Sequence, residues 1–176
     1  MKHSFSGQKG NVRFTLPVTV GTTGPQWIIR LKKKGFQISK WAENILSSPG
    51  FKPTFGIVNN VSVCFVRGPV TRVDKVEADT KILSVLNAEV ACLILDSFSR
   101  EDILAMGFTS IWVMHEEIDD SHVNTGGLPS SENHLIINCD DTAIRLDTYY
   151  DLLETPDVGS DEYGVAFSIS DFCSLN

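Results

Sequence analysis

Two of the chain's four histidines sit in the stretch IWVMHEEIDDSHVNTGG, residues 111–127, where an apolar run gives way to acids. If residues 109–118 form a strand, its two-residue period puts Ile111, Val113, His115 and Glu117 on one face and Trp112, Met114, Glu116 and Ile118 on the other. His115 and Glu117 would then share a face, and His122 or His134 arriving from beyond would complete a nitrogen and oxygen ligand set for a cation, the basis of a metal-dependent hydrolase. The spacing matches none of the established ligand patterns: HExxH, HxH and HxxE are all missing around these residues. The plainer expectation is that His115 and the acids mark the solvated end of a strand.

Other chemistries find less support. Ser121 and His122 are neighbours in sequence, which does not make their side chains face each other, and no GxSxG elbow surrounds any serine. No catalytic residue is therefore assigned. Carboxylate pairs such as Asp119 with Asp120, Asp140 with Asp141, and Asp147 with Asp151 arise from composition alone in so acidic a region. The GTTG of residues 21–24 resembles a phosphate cradle, yet it lacks the Walker and GxGxxG patterns, and Pro25 removes a donor from the turn. It reads as a helix start. No cofactor is expected.

Charge is divided unevenly along the chain. Residues 1–73 hold 11 Lys and Arg against a single acid, Glu43, while residues 74–176 hold 4 against 21, giving +10 and −17 within a net −7. Folding either sets these poles against each other or leaves one for an outside partner. The basic pole contains Arg30, Lys32, Lys33 and Lys34, cations that complement a helix dipole or contact phosphates, so nucleic-acid binding through residues 24–34 is an alternative. A helix-turn-helix aligned on Gly35 would place Arg30, Lys34 and Asn44 where its helices need apolar contact. The acidic pole includes a long loop, residues 119–133, and loops of that length inside a compact domain are usually functional or disordered. The leading expectation is a non-enzymatic interaction or regulatory protein presenting Glu116, Glu117, Asp119, Asp120, Asp140 and Asp141 to a basic protein partner.

The elements that would position these residues come from patterning. Residues 11–20 alternate as a strand with Val12, Phe14, Leu16 and Val18 facing one way, and Pro17 marks it as an edge or a bulge. Thr23 with Gln26 forms a capping box and Gly35 a left-handed stop, predicting a helix over residues 23–35 with Trp27, Ile28 and Leu31 buried. Ser39 starts a second helix whose stripe is Trp41, Ala42, Ile45 and Leu46. Residues 54–66 suggest a hairpin turning at Asn59 and Asn60, residues 74–87 a helix, and VACLIL at 90–95 a buried strand or the continuation of that helix, with the strand preferred. Ser99 and Asp102 cap a short helix ended by Gly107, and further strands are expected at 109–118, 135–139, 143–146 and 163–169.

Elements interspersed without a regular βαβ rhythm predict an α+β fold with a mixed or largely antiparallel sheet. At 176 residues and 42% hydrophobic, the chain suits one domain, residues 11–176, after a tail at 1–10, with a subdomain boundary allowed near 68–73. The longest apolar run is too short for a bilayer, the start lacks a signal-peptide pattern, and Cys64, Cys92, Cys139 and Cys173 lie too far apart to form a disulfide framework. A cytoplasmic protein is expected.

Overall fold

The structure, a computed structural model, describes residues 5–17, 19–56, 61–65, 83–84, 86–116, 118, 134–140, 142–149 and 163–169. Its strands are β1 (Ser6–Gln8), β2 (Asn11–Phe14), β3 (Thr19–Val20), β4 (Gln37–Ile38), β5 (Phe55–Gly56), β6 (Val61–Phe65), β7 (Leu83–Ser84), β8 (Ser110–Val113), β9 (His134–Cys139), β10 (Ile144–Tyr149) and β11 (Tyr163–Ile169). The helices are α1 (Gly24–Lys33), α2 (Lys40–Ser47), α3 (Glu89–Ser97) and α4 (Arg100–Met106). The main sheet runs β1-β2-β6-β11-β8-β9-β10-β4, with β7 also on β11, and β3 pairs β5 separately. Among the described strands only β10 with β4 and β11 with β8 are parallel, so the fold is α+β with a mixed, largely antiparallel sheet.

Caps define the helices as their sequences demand. Thr23 N–H donates to Gln26 Oε1 at 2.9 Å, Ser39 Oγ accepts from Ala42 N, and Ser99 and Asp102 close the box at the start of α4. Gly107 ends α4 at φ 98°, and the turn between β1 and β2 caps it further, Gly10 N–H donating to Met106 O at 2.8 Å. Gly24 answers a closer constraint: a Cβ there would lie 1.6 Å from the carbonyl oxygen of Leu46, so the start of α1 rests directly on the end of α2. The buried faces of these helices, Trp27 and Leu31 on α1 and Ala42, Ile45 and Leu46 on α2, join the core with Ile111, Val113, Leu135 and Ile137 of the sheet.

Several expectations are corrected. Residues 90–95 are helix rather than strand: every residue from Glu89 to Leu95 is buried, and a helix enclosed on all sides loses the periodicity that would reveal it. The strand at 11–20 is two elements. Pro17 falls between β2 and β3, and β2 is no edge, since β1 and β6 flank it. The hairpin at 54–66 does not form, because β5 pairs β3 while β6, with Val61 and Val63 fully buried, needs neighbours on both sides and takes β2 and β11. Its turn at 59–60 lies outside the described residues. At the end of the expected 74–87 helix, residues 83–84 form β7 and Leu86 makes a bridge to His115; the remainder lies outside the described residues, as does the boundary near 68–73. Within the expected tail, Ser6–Gln8 form β1.

Candidate functional site

β8 continues past Val113 as extended chain, held by Met114 N–H donating to Ala166 O at 3.1 Å and Leu86 N–H donating to Met114 O at 2.6 Å. The expected alternation therefore persists to His115, which shares the buried side with Ile111 and Val113 and is 2% exposed. This overturns the solvated-strand-end expectation for His115. Its Nε2 accepts the backbone N–H of Leu135 at 3.0 Å, which requires an unprotonated nitrogen, so Nδ1 carries the hydrogen and donates to Glu116 O at 2.7 Å. Burial pushes His115 from its ordinary 6.5 to about 4; the bond to Glu116 opposes that shift and the nearby His134 adds to it.

His134 begins β9 with its ring centroid 5.2 Å from that of His115. The structure thus joins two of the four residues considered for a metal, while Glu117 and His122 lie outside the described residues. Proximity does not make a ligand pair here. Both ring nitrogens of His115 are committed to backbone groups, and coordination would strip β9 of a hydrogen bond in a buried place. Among the described residues no group of three His, Cys, Asp or Glu side chains is placed to hold a metal ion.

The acids considered for partner binding are separated. Glu116 is exposed beside the start of β9, whereas Asp140 follows its end, about 17 Å away along a strand of this length. Asp140 has work in its own turn: Oδ1 accepts from Thr142 N at 2.8 Å, Thr142 Oγ1 at 2.7 Å and Ala143 N at 2.8 Å, and the other oxygen meets Arg145 at 3.1 Å. The Thr142 hydrogen bonds, chiefly, hold its carboxyl down at about 2. Glu117, Asp119, Asp120 and Asp141 lie outside the described residues. The attachment points of two acidic segments are nonetheless defined. Val113 pairs Leu135 and Tyr149 pairs His134, so the end of β8, the start of β9 and the end of β10 adjoin at one end of the sheet. Residues 117–133 connect two of these strand ends, and residues 150–162 begin at the third and rejoin the sheet at Tyr163, which pairs Ser110 at the opposite end; the segments carry four and five acids respectively and no Lys or Arg.

The basic cluster is partly neutralised. Arg30 and Lys34 both meet the carboxylate of Asp96 on α3, Lys32 pairs with Glu43 on α2, and the Arg30 guanidinium lies 5.1 Å over the Trp27 ring. Since Asp96 belongs to the acidic half of the sequence, the two poles do meet at this contact. Lys33 is exposed and has no ion pair among the described residues.

One polar centre had no counterpart in the sequence reading. Glu89, fully buried in the first turn of α3, accepts from Trp27 Nε1 at 2.7 Å and, at 2.5 Å each, from the backbone N–H and hydroxyl of Thr54. Thr54 also meets the hydroxyl of Thr19 at 3.0 Å, so one carboxylate ties α3 to α1 and to the β3–β5 ribbon. The only sequence signal for it was an acid heading an apolar run, a helix N-terminal preference that a strand assignment obscures. No family model, curated protein sequence or solved structure matches this chain.

Proposed function

We propose that this chain is a non-enzymatic, cytosolic interaction protein that offers carboxylates to a basic protein partner. The observation carrying this reading is that residues 117–133, with four acids and no Lys or Arg, join neighbouring strand ends beside exposed Glu116, where a second segment with five acids and no Lys or Arg, residues 150–162, begins. Acids concentrated in two segments without Lys or Arg favour capture of a polycation through long-range attraction. The alternative of a metal-dependent hydrolase loses support because His115 has no ring nitrogen free to ligate. Nucleic-acid binding by Arg30, Lys32, Lys33 and Lys34 is weakened by the carboxylates of Asp96 and Glu43 among those cations.

The test is binding to an immobilised Lys-rich peptide across salt from about 0.05 to 0.5 M, a range over which screening suppresses exposed charge attraction. Capture is expected at low salt and lost at high salt, and Glu117→Lys with Asp119→Lys and Asp120→Lys should abolish it. Capture that ignores both salt and these substitutions, or no capture at low salt, rejects the proposal.

A further inference from the structure

The outward side of α1 and its C-cap carries Gln26, Ile29, Arg30, Lys33 and Lys34, an arc of about 140° that runs from Ile29 through Lys33, Gln26 and Arg30 to Lys34, which borders buried Trp27. Together they line a shallow groove of about 500 Å³. Ile29 is 69% exposed at one edge of this arc, beside Lys33, and is the aliphatic side chain among the lining residues. Three cations line the rest of the arc, Lys33 next to Ile29, and one carboxylate, that of Asp96, is shared between Arg30 and Lys34. Asp96 offsets a single positive charge, so the groove keeps a surplus of two, one of them on Lys33.

From this juxtaposition we infer that the α1 groove is a docking site for an acidic peptide segment bearing an aliphatic side chain, which would cover Ile29 while its carboxylates meet Lys33 and the outer faces of Arg30 and Lys34. Charge complementarity selects the sign of the occupant, and the exposed aliphatic side chain at the edge selects its kind. A nucleic-acid backbone fits less well: it presents no aliphatic group for Ile29, the groove offers no exposed aromatic for base stacking, and Asp96 stands beneath two of the cations that would have to meet phosphates. The site is separate from the acidic segments considered above. It calls for an acidic partner where they call for a basic one, so the two proposals stand or fall independently.

The experiment is fluorescence anisotropy of the full chain with a fluorescein-labelled peptide of glutamates around a single leucine, compared with the same peptide carrying serine in place of leucine. The leucine peptide should bind about tenfold more tightly or better, a difference matching removal of one buried aliphatic side chain. Ile29→Ser should erase the leucine preference, and Lys33→Glu should weaken both peptides. Both positions are exposed, and unchanged far-UV circular dichroism verifies the fold of each variant. Equal binding of the two peptides, or binding indifferent to Ile29→Ser and Lys33→Glu, overturns the inference. So does displacement of the peptide by a single-stranded oligonucleotide whose own binding is lost in Lys33→Glu, which assigns the groove to phosphates. Concentration-dependent self-association abolished by Ile29→Ser assigns it instead to a second copy and equally overturns the acidic-peptide reading.

Discussion

The corner around Glu89 and the sheet end around His115 both bury an ionisable side chain, and each gives it partners of a different sort. At Glu89 the carboxylate only accepts, and its donors come from α1 and from Thr54 beside the β3–β5 ribbon. At His115 the ring both accepts and donates, and both partners are backbone groups of the strands it joins. The difference shows how the hydrogen-bonding groups around a buried side chain match the side chain they hold. An enclosure of donors suits an acceptor, whereas one donor facing one acceptor suits a neutral imidazole. It also separates what each corner holds: Glu89 binds distant elements into one body, and His115 fixes the register where β9 begins.

The sharpest way to break this comparison is Glu89→Ala, which leaves the Trp27 indole N–H and the Thr54 amide without an acceptor in a buried place and should cost roughly 3–5 kcal/mol. Urea unfolding measures it, and a loss below about 1 kcal/mol would mean that the corner carries little of the fold.

Acid titration probes the other corner. Above pH 6.5 His115 is neutral in both folded and unfolded chains; as the pH falls from there towards about 4, only the unfolded chain takes up the proton, so stability drops, by about 3 kcal/mol in all. Asp140 does not confuse this window. Its carboxyl is lowered from 3.8 to about 2, so its contribution persists throughout and is lost only at lower pH. A flat stability profile from pH 7 to 4.5 would contradict the buried neutral ring.

His115→Phe sharpens the same point. It removes the acceptor of the Leu135 N–H while keeping an aromatic ring, and should cost about 1–3 kcal/mol at neutral pH while flattening the acid slope. The smallest effect belongs to the surface. Lys32→Ala, which breaks the pair with Glu43 at a side chain 52% exposed, should change stability by less than about 1 kcal/mol, and by less still in salt. A larger loss would mean that the surface pairs around α1 matter as much as the buried corners.

Legibility in the sequence followed locality. Thr23 with Gln26, Ser39, and Ser99 with Asp102 announce their helices because a cap is a contact within four residues, and Gly35 and Gly107 end theirs through positive φ. What the sequence obscured depends on distant partners: the burial of α3 on every side, the assignment of β5 to β3 rather than β6, and the two-residue β4, which exists only because β10 is there to pair with it. At the candidate site, the two-residue period correctly aligned His115 with Ile111 and Val113. It could not reveal that Leu135, twenty residues away, would occupy Nε2. Glu89 stayed hidden for the same reason, since its donors lie at least 35 residues away.

The position of β11 bears on how the protein is made. Among the described strands, β11 alone lies between β6 and β8, joining the β1-β2-β6 group to the β8-β9-β10-β4 group. A chain emerging from the ribosome therefore exposes two unfinished sheet edges, at β6 and at β8, until residues 163–169 have cleared the exit tunnel. Final assembly of the sheet waits on β11, and chaperones that shield strand edges would have their window on nascent chains halted before that strand.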